Sequence, residues 1–92
     1  MSDVEQAAAL IEELEAAVMA FRLGMDGEAG AHFARFIDAL GPSLTNTGAG
    51  PRAEDLLPYF PEILAAQRRG DGLAVADSLE FQIRPRIESP SH

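Results

Sequence analysis

Between residues 4 and 25, apolar side chains return in alternating steps of three and four: Val4, Ala7, Ile11, Leu14, Val18, Phe21 and Met25. That period matches one face of an α-helix and excludes a strand, whose period is two. The seam runs through three heptads, and Leu10 and Ala17 widen it toward the stripe of a globular bundle. Ser2 with Glu5 fits a capping box ahead of it, and Gly24 and Gly27 end it. A helix of about 21 residues is roughly 32 Å long. It outreaches the other helices of the chain, so its extra length must protrude or find a partner.

A second helix is expected from Asp26, as N-cap, to the Gly41-Pro42 stop. Its apolar face is Ala29, Phe33, Phe36, Ile37 and Leu40. Gly30 in its interior costs about 1 kcal/mol relative to Ala. Gly27, Gly30, Ala31 and Ala34 make a small-residue strip, read as a place where helix 1 approaches closely. Residues 41–52 carry no periodicity and are punctuated by Gly, Pro and Thr, so they read as a linker. At that length the linker is a crossover, a mobile loop or the hinge of a swapped dimer.

Leu56, Leu57, Phe60, Ile63, Leu64 and Gln67 keep helical spacing through Pro58 and Pro61. Either a helix starts near Pro58, where a first turn tolerates proline, or one kinked helix runs from Ala53 to Arg69. The unbroken apolar phase favours the kinked helix. Gly70 ends it and Asp71 caps a fourth helix with the seam Leu73, Ala76, Leu79, Ile83 and Ile87, and Val75 alongside. Pro85 removes the amide that would bond the Phe81 carbonyl, so a kink or stop is expected there. Residues 89–92 are expected to fray. Arg22–Ile37 and Arg68–Gln82 both read as helix end, Gly-containing turn, Asp cap and Ala-rich helix, a weak internal repeat that needs one gap. Two αα-hairpins require this turn chemistry whatever their ancestry.

Charge sharpens the picture. The chain of 92 residues has net charge −8 and no Cys, Lys or Trp. Its first 46 residues hold eight acids against two Arg, and the remainder seven acids against five Arg. An acidic head and a more basic tail can dock on each other or on a second copy. The balance disfavours phosphate backbones, and so nucleic acid. Disulfide scaffolds and Cys chemistry are excluded. No apolar run is long enough for a membrane span, and the acidic start is unlike a signal peptide, so a cytoplasmic location is expected.

Reactive constellations are scarce. His32 is the single internal histidine, with Glu28 one turn before it, and a di-iron bundle needs two Glu-x-x-His motifs plus two further Glu. Ser43, Thr45 and Thr47 lie in the linker with no histidine paired by spacing. Gly48-Ala49-Gly50 lacks the Lys of a phosphate loop. Glu12, Glu13 and Glu15 fall off the apolar seam, on a solvated face. Arg68, Arg69, Arg84 and Arg86 are expected to pair with the chain's own acids. Leu-Leu-Pro-Tyr-Phe-Pro at 56–61 holds proline-flanked aromatics: either Phe60 is core with Tyr59 at its rim, which its place in the seam favours, or the pair is a docking patch whose backbone is already partly ordered.

The segment Ile63-Leu-Ala-Ala-Gln-Arg-Arg-Gly-Asp-Gly-Leu-Ala-Val-Ala-Asp-Ser-Leu-Glu-Phe-Gln-Ile-Arg-Pro resembles a pattern in small bacterial helical proteins: Gly-Asp, then Leu-Ala-Asp-x-Leu-Glu with an aromatic, then proline. In size, charge and helicity the chain is also similar to small acidic flagellar or type III export chaperones. That likeness implies a cytoplasmic bundle holding an apolar helical segment of a client.

The sequence thus predicts an all-α fold with four helices as two antiparallel hairpins (3–40 and 53–88), in one helical bundle or a helical homodimer. Function is expected to be non-catalytic protein binding, as an adaptor or chaperone-like module, or a structural or regulatory homo-oligomer with no client. A metal-binding helical protein is a lesser alternative. The expected partner is another protein or a second copy, not nucleic acid or membrane, with no cofactor. The candidate partner-binding residues are Leu57, Tyr59, Phe60, Ile63, Phe81 and Ile83.

Overall fold

The computed structural model describes residues 3–45 and 53–88, all of them helical apart from two short turns. Helix α1 spans Asp3–Arg22 and α2 spans Asp26–Thr45. A third helical stretch is built from α3 (Ala53–Leu56), a 3-10 turn (Leu57–Tyr59) and α4 (Phe60–Arg68). The fourth consists of α5 (Gly72–Ser78), a π turn (Leu79–Ile83) and α6 (Arg84–Glu88). No strand occurs among the described residues. The radius of gyration, 12.5 Å, is close to the roughly 12 Å expected of one compact chain of this length. Ser2 and its capping box, linker residues 46–52 and tail residues 89–92 lie outside the described residues.

Both hairpin turns use one device. The Gly24 amide donates to the Phe21 carbonyl and the Met25 amide to Ala20, with Gly24 at φ 74°. In the other, the Gly70 amide donates to Gln67 and the Asp71 amide to Ala66, with Gly70 also at φ 74°. Each is a Schellman C-cap, which needs a left-handed residue that glycine adopts without a Cβ penalty. The next helix starts in the same turn. The Met25 carbonyl accepts from Ala29, and the Asp71 carbonyl from Val75. Asp71 is a true N-cap, its carboxylate accepting from the Ala74 amide at 3.1 Å. Its counterpart is Met25, so Asp26 is the first helical residue and not the cap.

The turns therefore align without a gap, Gly24 on Gly70, at an offset of 46 residues. At that offset five buried positions meet buried positions, Leu10 and Leu56, Ala17 and Ile63, Ala20 and Ala66, Ala29 and Val75, Phe33 and Leu79, while Val18 and Phe21 meet the exposed Leu64 and Gln67. The repeat is stronger in the structure than in the sequence, where aligning the two Asp residues forced the gap.

The core differs from the seams in instructive ways. Helix α1 packs along α2 on one side and along α5, the π turn and α6 on the other. Its buried stripe is thus wider than a heptad seam and centred on Leu10, Leu14, Ala17, Val18 and Phe21. Ile11 and Ala7 sit at its edge, and Met25 is exposed. The Phe21 and Phe33 rings meet edge to face, with centroids 6.3 Å apart, tying α1 to α2. Leu73 is exposed, while Val75, Ala76, Leu79, Ile83 and Ile87 are buried.

Prolines bend these helices without ending them. Helix α2 passes through Gly41-Pro42 to Thr45, which makes it 20 residues long, equal to α1. Helix α1 therefore does not outreach its hairpin partner. Only the bond from residue 42 to the Asp38 carbonyl is lost, and Asp38 is exposed, so water can replace it. Leu56 and Tyr59 keep right-handed helical dihedrals, so the path from Ala53 to Arg68 is one helix tightened into 3-10 geometry at Leu57–Tyr59. Pro58 and Pro61 each fall at the start of a segment, where an amide has no helical partner. Ahead of Pro85 the helix widens, and the Arg84 amide reaches back to the Leu79 carbonyl, five residues away. The small-residue strip of α2 faces outward: a Cβ on Gly27 or Gly30 would meet nothing within 4 Å. The close approach is at Gly72, where a Cβ would lie 3.1 Å from the Phe21 carbonyl oxygen.

Candidate functional site: an open apolar groove

The α2 backbone lies close to α1 and approaches α4 less closely than α1 approaches α5 and α6, although Phe33, Phe36 and Leu40 share one core with Leu56, Ile63 and Ala66. The gap is a groove of about 300 Å³. Phe33, Ile37, Leu40 and Gly41 form its α2 wall, and Leu57, Phe60 and Leu64 the opposite wall. No polar side chain lines it. Ile37, Leu57 and Leu64 remain 38, 55 and 43% exposed, too much apolar area to be core edge alone. Water in such a groove finds no hydrogen-bond partner on either wall, so an apolar occupant displaces it favourably.

At the 46-residue offset, the groove's second wall has its counterpart on α1: Leu57 corresponds to Ile11, Phe60 to Leu14 and Leu64 to Val18. Leu14 and Val18 line a second hollow, of about 380 Å³, between α1 and the fourth helix. There, ion pairs span the helices. Arg22 meets Asp77 at 3.1 Å and also holds Glu80, and Arg84 meets Glu15 at 2.8 Å and Glu88 at 3.3 Å. The hydrogen bond from Arg22 to Glu80 raises the guanidinium pKa, the charges of Glu80 and Asp77 add to it, and partial loss of water opposes it. Corresponding positions of the α2–α4 groove carry Ala34 and Arg68, and Asp38 and Pro61, which form no equivalent pairs. The two hollows take corresponding places in the repeat, and the cross-helix ion pairs border the α1 one.

The six sequence candidates separate cleanly. Leu57 and Phe60 line the groove. Tyr59 is half-buried, with the Arg86 guanidinium 4.5 Å over its ring, so it ties the 3-10 turn to α6. Ile63 and Ile83 are fully buried and belong to the core, not to a docking surface. Phe81 is exposed on the π turn and does not line the groove. Phe33, Ile37, Leu40 and Leu64 are groove residues that sequence reasoning had assigned to packing. The available signal was the width of the α2 stripe: Phe33, Phe36 and Ile37 cover more of the helix than one partner needs.

Other candidates take ordinary places. The His32 Nδ1 lies 3.3 Å from Glu13 Oε2 on α1, rather than pairing with Glu28. Among the described residues no three His, Asp or Glu converge on one point. Arg69 pairs with Asp71 at 3.5 Å, and Arg86 donates to the Gln82 carbonyl. The Arg84–Glu15 contact brings the basic tail onto the acidic first helix. No described helix is long and apolar enough to cross a membrane. No protein-family model, curated protein or solved structure matches the chain, so the open α2–α4 groove carries the functional reading.

Proposed function

We propose that this chain is a non-catalytic protein-binding module, adaptor or chaperone-like, whose α2–α4 groove receives an apolar helical segment of another protein. The observation that carries this reading is the apolar hollow between α2 and the third helical stretch, where Ile37, Leu57 and Leu64 stand exposed above the more buried Phe33, Leu40 and Phe60. An amphipathic helix laid in a groove buries anchors at helical spacing. The resemblance in size, charge and helicity to export chaperones implies the same role, and a cytoplasmic setting is part of this proposal.

The test is affinity capture from the source cell with the wild-type chain and with a Leu57→Glu, Leu64→Glu variant. Both residues are exposed, so the fold should survive, as checked by circular dichroism. A protein retained by the wild type and lost by the variant is the expected result, and identical captures would sink the reading. The same exposed walls also allow a structural or regulatory homo-oligomer. Light scattering on the two proteins separates them: a dimer that the variant converts to monomer favours self-association.

A further inference from the structure

A second surface lies on the other side of α1. Met19 and Leu23 are 65 and 67% exposed, one helical turn apart, and they form a ridge along the helix. Both residues line two hollows, one on each side. The first has Leu14 and Val18 as its apolar floor. The second, of about 180 Å³, runs over Ala16 and Ala20 toward Met25, and Glu28 and His32 close its far side. A ridge of large side chains beside a row of alanines is the relief into which another helix packs. Methionine suits such a surface because its unbranched side chain adapts to its partner.

Charge selects the occupant. Around the first hollow two guanidiniums, Arg22 and Arg84, are shared among four carboxylates: Asp77, Glu80, Glu15 and Glu88. The arginines are thus engaged and the rim keeps surplus negative charge. Glu28 adds to it beside the second hollow. We propose that the Met19–Leu23 ridge docks a basic amphipathic helix of another protein, apolar side inward and cations over these carboxylates. A second copy of the chain is disfavoured here. A twofold contact through this face sets two rims with more carboxylates than guanidiniums against each other, on a chain of net charge −8.

The probe is a helical peptide built only of Leu and Lys, with the leucines on one face. Its twin carries Glu in place of Lys. Binding of the Leu/Lys peptide to the full chain, weakening several-fold as salt is raised, is expected, with no binding of the twin. Met19→Ser with Leu23→Ser leaves every charge in place and should weaken binding at least about tenfold, roughly 1.4 kcal/mol. Leu73→Ser, an exposed leucine away from both hollows, should leave it unchanged. Should the double variant lose its helical circular dichroism, Met19→Ser alone makes the same comparison. Unaltered binding to the ridge variants would show attraction by charge alone and overturn the proposal. So would equal binding of the twin, no binding of the Leu/Lys peptide, or a wild-type dimer that the ridge variant dissociates.

Discussion

An alanine at position 24 or 70 forces a Cβ into backbone held at φ 74°, where an L-residue is disfavoured by about 1–2 kcal/mol. Nothing crowds either position, so the loss is purely conformational. Gly24→Ala and Gly70→Ala should each lower the thermal midpoint by about 4–8 °C per kcal/mol, read by circular dichroism melts. Two aspartates divide more sharply. Asp71→Ala removes a cap bonded to the Ala74 amide and should cost about 1 kcal/mol. Asp26→Ala leaves the Met25 cap position untouched and loses only a helix-dipole term, about 0.3–1 kcal/mol. Equal losses in chemical denaturation would refute that distinction. The Asp71 role was legible because Gly-Asp-Gly is strong punctuation. The role of Asp26 was misread because a cap is defined by its neighbours' hydrogen bonds, which identity alone does not reveal.

At the scale of elements, the fourth helix explains its own irregularity. Its buried residues Val75, Leu79, Ile83 and Ile87 recur in unbroken steps of four. A regular α-helix turns every 3.6 residues, so steps of four would drift off the core within three turns. The π turn at Leu79–Ile83 absorbs the excess residue, and it also gives the Pro85 ring room against the preceding carbonyls. Deleting exposed Phe81 together with Pro85→Ala converts the spacing to four, three, four, which a plain α-helix satisfies. That variant should remain folded within about 1 kcal/mol of the wild type, the range of a typical single substitution. A deletion of Ala16 from α1, where no turn can absorb it, should abolish the cooperative melt. The four helices were legible because their apolar phases are long. The behaviour of the prolines was not, since each outcome depends on whether the freed carbonyl meets water or a wider turn. Leu73 matched the period and still lies exposed, because α5 begins only one residue earlier and the turn directs it outward.

On the scale of the molecule, cross-helix ion pairs border the α1 hollow. The α1 side is bridged by Arg84–Glu15 and Arg22–Glu80, contacts between partly exposed groups. Pairs of this kind are screened by water and add little to stability, so Arg84→Ala should leave the urea midpoint nearly unchanged. They fix how the fourth helix lies on α1 more than how strongly it holds. The groove was half legible: Phe60 stood out between prolines and Leu57 just ahead of them, whereas its α2 wall looked like core because a single sequence shows which residues are apolar and not which face stays uncovered.

The 46-residue offset gives the chain an internal comparator for every core experiment. Leu10→Ala and Leu56→Ala remove the same atoms from corresponding buried sites, and large-to-small changes of this kind cost about 2–5 kcal/mol. Both are fully buried leucines, Leu10 in the regular turns of α1 and Leu56 where α3 tightens into the 3-10 turn, so whatever separates the two measured values reports how firmly each setting resists a hole.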